Sequence, residues 1–222
     1  MQKIKMLLKM MGVSLSPNYS AKVANDYWQN TTKTHGIMKE DMFDFYFTEL
    51  LKIIKLKKDQ SILDYGGGNG EIAYRFKENG YKVTHCDLSK IMVNNAQHKF
   101  NLQSCECNQI NKKYDSILFH NAFFYIHPKK QKEILRKLYT FINDGGKLYI
   151  TDTPDFDKRV NSFGGGRINL FLTSIFPVYQ ISLAGFYIKD KVLKNIAKQV
   201  GFKKVSKLDS WCNYRSHWIL ER

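Results

Sequence analysis

Short apolar runs alternate with stretches of helical spacing from residue 60 to the end of the chain. Ser61-Ile62-Leu63-Asp64-Tyr65 reads as a strand that runs into a glycine cluster, and Glu71 to Glu78 as a helix stopped by Asn79-Gly80. Tyr81 to Asp87 is a second strand, and Ser89 a candidate N-cap for a helix from Lys90 to about His98. A weak third strand lies near Leu102 to Cys107, and Asp115 to Asn121 is the fourth. Lys129 to Phe141 has amphipathic helical spacing and ends at Asn143-Asp144-Gly145-Gly146. A fifth strand follows at Lys147 to Asp152. Lys191 to Val200 is a helix stopped by Gly201, and strands near 203–208 and 215–221 close the chain.

Strand–helix alternation with short connections predicts a parallel, doubly wound α/β sheet. The last two strands have no helix between them, so they are expected to form an antiparallel hairpin through Asp209 to Tyr214. The fold class is therefore a seven-stranded, mostly parallel sheet with a C-terminal antiparallel hairpin. One domain is expected over 1–222: a helical N-terminal extension (1–58), a core (59–155), an insertion after strand five (156–188), and a final helix and hairpin (189–222). Within the extension, 1–20 reads as a loosely constrained arm. Residues 21–56 carry helical spacing, with Phe43, Phe45, Phe47, Leu50, Leu51, Ile53 and Ile54 as an apolar face. The insertion holds Gly164-Gly165-Gly166 and an aromatic-rich stretch up to Ile188, which fits a lid, a dimer face or a peripheral membrane contact through 168–188. Pro177 and Gly185 break it, which disfavours a spanning helix.

Composition agrees with one soluble domain: 222 residues, 43% hydrophobic and 25% charged. The net charge of +15 admits an anionic partner such as nucleic acid, but the cations are scattered and fit a Lys-rich surface equally. Cys86, Cys105, Cys107 and Cys212 form no C-x-x-C pair, so neither a zinc site nor a disulfide framework is indicated. Reduced thiols and the lack of a signal-peptide pattern in 1–13 fit a cytoplasmic protein.

Gly66, Gly68 and Gly70 lie between a strand and a helix, where the backbone must turn sharply and approach a ligand closely. Asp87 ends the next strand, where a carboxylate can accept from both hydroxyls of a ribose. These features specify a nucleoside-containing cofactor. Residues 68–73 also fit G-x-G-x-x-A, so an NAD-dependent oxidoreductase stays open on them alone.

With further blocks the chain resembles the class I S-adenosylmethionine-dependent methyltransferases. Asp64, Gly66, Gly68 and Gly70 match their D-x-G-x-G-x-G. Asp87-Leu88-Ser89, Tyr114 to Ala122, Asn143 to Leu148 and Gly201-Phe202 match later blocks in order, and NAD-binding domains usually lack the closing hairpin. The resemblance implies that the backbone at Gly66 and Gly68 holds the methionine part of the cofactor, with Tyr65 lining the cleft. Asp87 would hold the ribose, with Leu88 beside the adenine. Met92 fits an adenine cover and a core residue equally. Asn108 is the choice for the adenine amino group, and the His120 carbonyl for the amino-acid end.

A general base suits an oxygen or nitrogen acceptor. His120 and His127 flank strand four: His127 lies beyond it and fits either that role or a helix cap, and His120, if buried, fits a structural role. Tyr125 is a second candidate, with Asp152, Asp155 and Tyr27 as alternatives. No metal is implied. The expected reaction is methyl transfer to a small-molecule oxygen, such as that of a sugar, a surface-glycan precursor or another metabolite. Asn121-Ala122-Phe123-Phe124 replaces the Asn-Pro-Pro-Tyr of amino-methylating nucleic-acid enzymes, so an RNA methyltransferase is the alternative rather than the first reading.

Overall fold

A computed structural model describes residues 40–163 and 185–222. The arm at 1–20, Tyr27, Trp28, the glycine triplet 164–166 and most of the aromatic insertion lie outside the described residues. In chain order the elements are α1 (Glu40–Ile53), β1 (Ser61–Tyr65), α2 (Glu71–Glu78), β2 (Lys82–Asp87), α3 (Lys90–Phe100), β3 (Ser104–Glu106) and β4 (Tyr114–His120). Then come α4 (Pro128–Thr140), β5 (Ile142–Pro154), α5 (Asp190–Val200), β6 (Lys204–Asp209) and β7 (Arg215–Glu221). Short 3-10 turns at Phe123–Tyr125 and Phe156–Phe163 follow β4 and β5.

The seven strands lie in the order β3-β2-β1-β4-β5-β7-β6. β1 pairs in parallel with β2 on one side and β4 on the other, so the strand order reverses about β1. In such a sheet the crevice at the carboxyl ends beside the reversal is where ligands bind. β7 runs antiparallel between β5 and β6, which gives the hairpin expected from the missing helix.

Side-chain alternation sorts the two faces of the sheet. Ile62, Leu118 and Tyr149 pack under Phe47 and Leu50 of α1, Ile54 just after it, and Phe76 of α2. Leu63, Ile117, Phe119, Leu148 and Ile150 pack on the other face against Leu135 and Leu138 of α4 and Leu193 and Ala197 of α5. Burying side chains of this size is worth roughly 1.5–3 kcal/mol each, so the two layers supply most of the folding drive.

Several boundaries differ from expectation. Phe45 is not on the buried face of α1: it is 47% exposed and meets Trp211 edge-on at 5.8 Å. Two residues along a helix turn by about 200°, which sends Phe45 away from the Phe47 stripe. β3 is only three residues long, and Leu102 instead packs with Ala96 and Ala73. β5 extends well beyond 147–152 at both ends. The expected Asn143-to-Gly146 turn is an irregularity within it, because Tyr114 pairs with Ile142 while Ser116 pairs with Lys147. Ser89 occupies the N-cap position of α3, but its hydroxyl makes no capping bond. No helix among the described residues is long and apolar enough to cross a membrane.

Trp218 is fully buried between the layers, and its indole N–H donates to Asp190 Oδ1 at 2.9 Å. Trp218→Ala should cost about 3–5 kcal/mol of unfolding free energy in a urea titration.

Candidate functional site

The loop after β1 is fixed by its neighbours. The N–H groups of Gly66 and Gly67 donate to the Cys86 carbonyl at 2.8 and 3.1 Å, holding the loop on the end of β2. Gly66, Gly68 and Gly70 all have positive φ, at 72°, 59° and 89°. At Gly67 a Cβ would collide with the Asp64 carboxylate and the His85 ring. At Gly70 it would meet Leu102 and Ala96 at 2.7 and 2.8 Å. At Gly68 it would meet nothing within 4 Å among the described residues. Gly68 therefore faces the open side of the loop, and its neighbours face the core.

Asp87 closes this cradle. Its Oδ2 accepts the Gly68 N–H at 3.0 Å and its Oδ1 the Ser89 N–H at 2.8 Å. Burial pushes its carboxyl up to about 6, against the pull of those two N–H groups. Asp64 lies deeper. Burial, then the charges of Asp87 and Glu71, push it up to about 7, and its Oδ2 has no hydrogen-bond partner among the described residues. His85 supports the loop from below: its Nε2–H donates to the Gly68 carbonyl at 3.0 Å, and Nδ1 meets Ser104 Oγ at 2.5 Å. Burial holds His85 down at about 4, so it is neutral.

A second group of polar residues stands at the carboxyl ends of β4, β5 and β7. His120 pairs with Thr151, and its Nδ1 meets Thr151 Oγ1 at 3.0 Å. His217 Nδ1 accepts the Asp152 N–H at 3.0 Å. Burial holds His120 at about 3 and His217 at about 4, so both rings are neutral. Tyr46 from α1 and Trp211 from the β6–β7 connection lie against the His120 ring, at 5.3 and 6.2 Å. Arg215 ties the strand ends together. Its Nη1 donates to Asn121 Oδ1 and the Asp152 carbonyl, both at 2.6 Å, and to Asp152 Oδ2 at 3.1 Å. Asn121 and Asp152 both have left-handed φ, 49° and 50°, a conformation that costs on the order of 1–3 kcal/mol per residue.

The residues expected to form the site divide accordingly. Gly66, Gly68, Gly70 and Asp87 come together as one cradle. Leu88 follows Asp87, half-buried against the core. Asn108 is exposed in the turn after β3; the neighbouring Cys107 N–H donates to the Asp87 carbonyl at 3.0 Å, which brings that turn to the same edge. One expectation changes. The Tyr65 side chain does not line the cleft: it is 3% exposed and packs edge-on against Phe119 in the core. Met92 is buried on α3, the core alternative. His127 occupies the N-cap of α4, where its Nδ1 accepts the Lys129 N–H at 3.3 Å and its ring meets Phe186. The Nδ1 lone pair thus serves the helix cap, the second of the two expected roles. Tyr125 lies against Phe124 at 4.2 Å. Asp155 is fully buried and held by Lys207 at 2.6 Å and Ser216 at 2.7 Å, a structural pair. The sequence reading missed His85, Tyr46, Trp211, Arg215 and His217. A histidine inside an otherwise strand-like run, at 85 and again at 217, was the available signal. Among the described residues no group of three or more His, Cys, Asp or Glu could hold a metal ion.

Comparison with known proteins agrees with this geometry. Residues 38–207 match the family model described as a methyltransferase domain. An uncharacterized methyltransferase of Alkaliphilus oremlandii (strain OhILAs) is 27% identical over 140 residues, covering 58% of this chain and 65% of that one. The tRNA 5-carboxymethoxyuridine methyltransferase of Escherichia coli (strain K12) is 29% identical over 100 residues, covering 39% of this chain and 38% of that one. The chain thus spans less than two thirds of the length of either relative. Magnesium protoporphyrin IX methyltransferase from Synechocystis PCC 6803, solved with bound S-adenosylhomocysteine, shares the fold. Its TM-score is 0.62 at 16% identity, with 90% of this chain and 99% of that one covered. The chain belongs to the methyltransferase domain family and has the Rossmann-like fold of the S-adenosylmethionine-dependent class I enzymes.

Proposed function

We propose that this chain transfers a methyl group from S-adenosylmethionine to an oxygen of a small-molecule acceptor held at the carboxyl ends of β4 and β5. The observation that carries this reading is the juxtaposition of two features at one sheet edge. One is the Gly66–Gly70 cradle closed by Asp87. The other is the aromatic and polar group formed by Tyr46, His120, Trp211 and Arg215. Gly66 joins them, since a Cβ there would touch Phe119 at 3.2 Å and Ala122 at 3.4 Å, on either side of His120 and Asn121.

S-adenosylmethionine supplies an electrophilic methyl group on a sulfonium. The protein's part is to bind, align and desolvate. Asp87 fits the ribose hydroxyls, with Leu88 and Asn108 at the adenine end. The loop backbone at Gly66 and Gly68 and the carbonyl of His120 fit the methionine end. Asp64, with a carboxylate oxygen left unbonded under the loop, fits a positive group there.

A second reading, methyl transfer to RNA, is favoured by one surface. α4 and α5 pack side by side, joined by Lys132 Nζ to Gln199 Oε1 at 2.7 Å, and present Lys129, Arg136, Lys191 and Lys198 to solvent. The E. coli relative is a tRNA methyltransferase. RNA binding through that face should weaken steeply with salt, and a fluorescence-anisotropy titration between 50 and 200 mM salt checks it. Salt-independent or absent binding removes this reading.

Asp87→Ala should weaken S-adenosylhomocysteine binding about 10–100-fold by calorimetry, the size expected for losing hydrogen bonds to a charged group. The pH dependence follows from the raised carboxyl. Ribose hydroxyls donate to the ionised form, so binding favours deprotonation. Affinity should level off above about pH 6 and fall below it, approaching tenfold per pH unit. The ligand-free protein should respond in the opposite sense. A carboxyl raised to about 7 contributes stability that is present at acid pH and lost as pH rises through that value. Asp64→Asn should therefore flatten the loss of thermal stability between about pH 5 and 7.5 in a melting series.

A further inference from the structure

One buried atom at the acceptor edge is left over once every contact of the site is assigned. His120 Nδ1 is occupied by Thr151 Oγ1, but Nε2 is shut off from solvent and has no hydrogen-bond partner among the described residues. Burying such a nitrogen unbonded is unfavourable, and native sites keep few of them without a use. Its position has a use. The β1–β4 pairing ends at Asp64 and Leu118, and beyond it Gly66 packs beside Phe119 and Ala122, which brackets the loop against the end of β4 that carries His120. Tyr46 and Trp211 close over the ring with their planes tilted at 60° and 43°, giving an aromatic surround. Among the neighbouring charges, Asp152 is turned to Ser210 at 3.0 Å and to Arg215, so it does not engage His120 Nε2.

Building on the small-molecule oxygen reading, the geometry points to a carboxylate as the acceptor, held by the His120 Nε2–H with its organic body against Tyr46 and Trp211. With the Thr151 hydroxyl as donor to Nδ1, the ring proton sits on Nε2 and faces the acceptor. The ring is neutral and a poor proton acceptor, so it suits an oxygen that arrives already ionised rather than an alcohol that must lose a proton. The carboxylate oxygen forms the new O–CH3 bond as the S–CH3 bond breaks, and the bonding pair stays on sulfur. No proton moves, and one negative and one positive charge vanish together, giving a methyl ester and a neutral thioether. A desolvated, aromatic-walled site favours a step in which charge disappears. The chain's net charge of +15 also draws anions toward it.

The test uses the full chain saturated with S-adenosylhomocysteine and titrated calorimetrically with benzoate and, separately, benzyl alcohol. Benzoate should bind at least tenfold more tightly. His120→Ala should erase that margin, and His120→Gln, which keeps an N–H, should retain part of it, each variant being brought to saturation with S-adenosylhomocysteine before the titration. Absent benzoate binding, equal binding of the two probes, or a margin that survives His120→Ala overturns the inference. Turnover with methyl-tritiated cofactor separates it from its parent reading. Label on the acid released as volatile methanol by mild alkali supports the carboxylate. Alkali-stable label on the alcohol overturns the carboxylate while the oxygen reading stands, and alkali-stable label only on RNA or on nitrogen overturns both.

Discussion

β1 is hydrogen-bonded on both edges and covered on both faces, and the rest of the molecule is arranged about that confinement. Ile62 and Leu63 are fully buried on opposite faces, with β2 and β4 on either side. A chain leaving such a strand has almost no room to turn. Gly66 is limited by Phe119, Gly67 by Asp64 and His85, and Gly70 by Ala96 and Leu102. The loop is thus an extension of the core, and its one open position, Gly68, is set by the packing of the others. The loop is therefore held in one conformation by bonds within the protein, with little of it left to order.

Desolvation then sets the electrostatics of the edge. Asp64 and Asp87 are raised, and His85, His120 and His217 are lowered, all first by burial. The same low-polarity surroundings that keep the histidines neutral leave the acids ready to ionise when a donor or a cation arrives. Arg215 is the counterweight. One guanidinium nitrogen holds two strand ends in left-handed backbone conformations, which are maintained only because the surroundings over-determine them.

Local spacing made much of this legible. The alternation of runs from residue 60 gave the order of strands and helices, and the missing helix after β6 gave the antiparallel hairpin. Glycine spacing and the acid at the end of β2 located the cofactor cradle, because a tight turn and a terminal carboxylate are local requirements. Boundaries drifted where pairing rather than propensity decides: β5 is extended by its partners β4 and β7, and β3 is cut short at the sheet edge. Phe45 was misjudged because an apolar residue says nothing about which way its helix is rotated. Tyr65 was misjudged for the same reason on a strand, where orientation depends on which face each neighbouring layer covers.

The acceptor side was hardly legible at all. Tyr46, His120, Trp211, Arg215 and His217 come from α1, β4, the β6–β7 connection and β7, and no spacing in the chain links them. His127 drew attention by lying just past a strand end, but its Nδ1 caps α4, while His120, the last residue of β4, keeps an unbonded Nε2. The sequence by itself determined the class of fold, the glycine loop and the acid that closes it, since each follows from backbone conformation within a few residues. Only the tertiary structure decided which polar side chains share the buried edge beside that loop. That depends on how distant strands register and on which of their hydrogen bonds remain unmade.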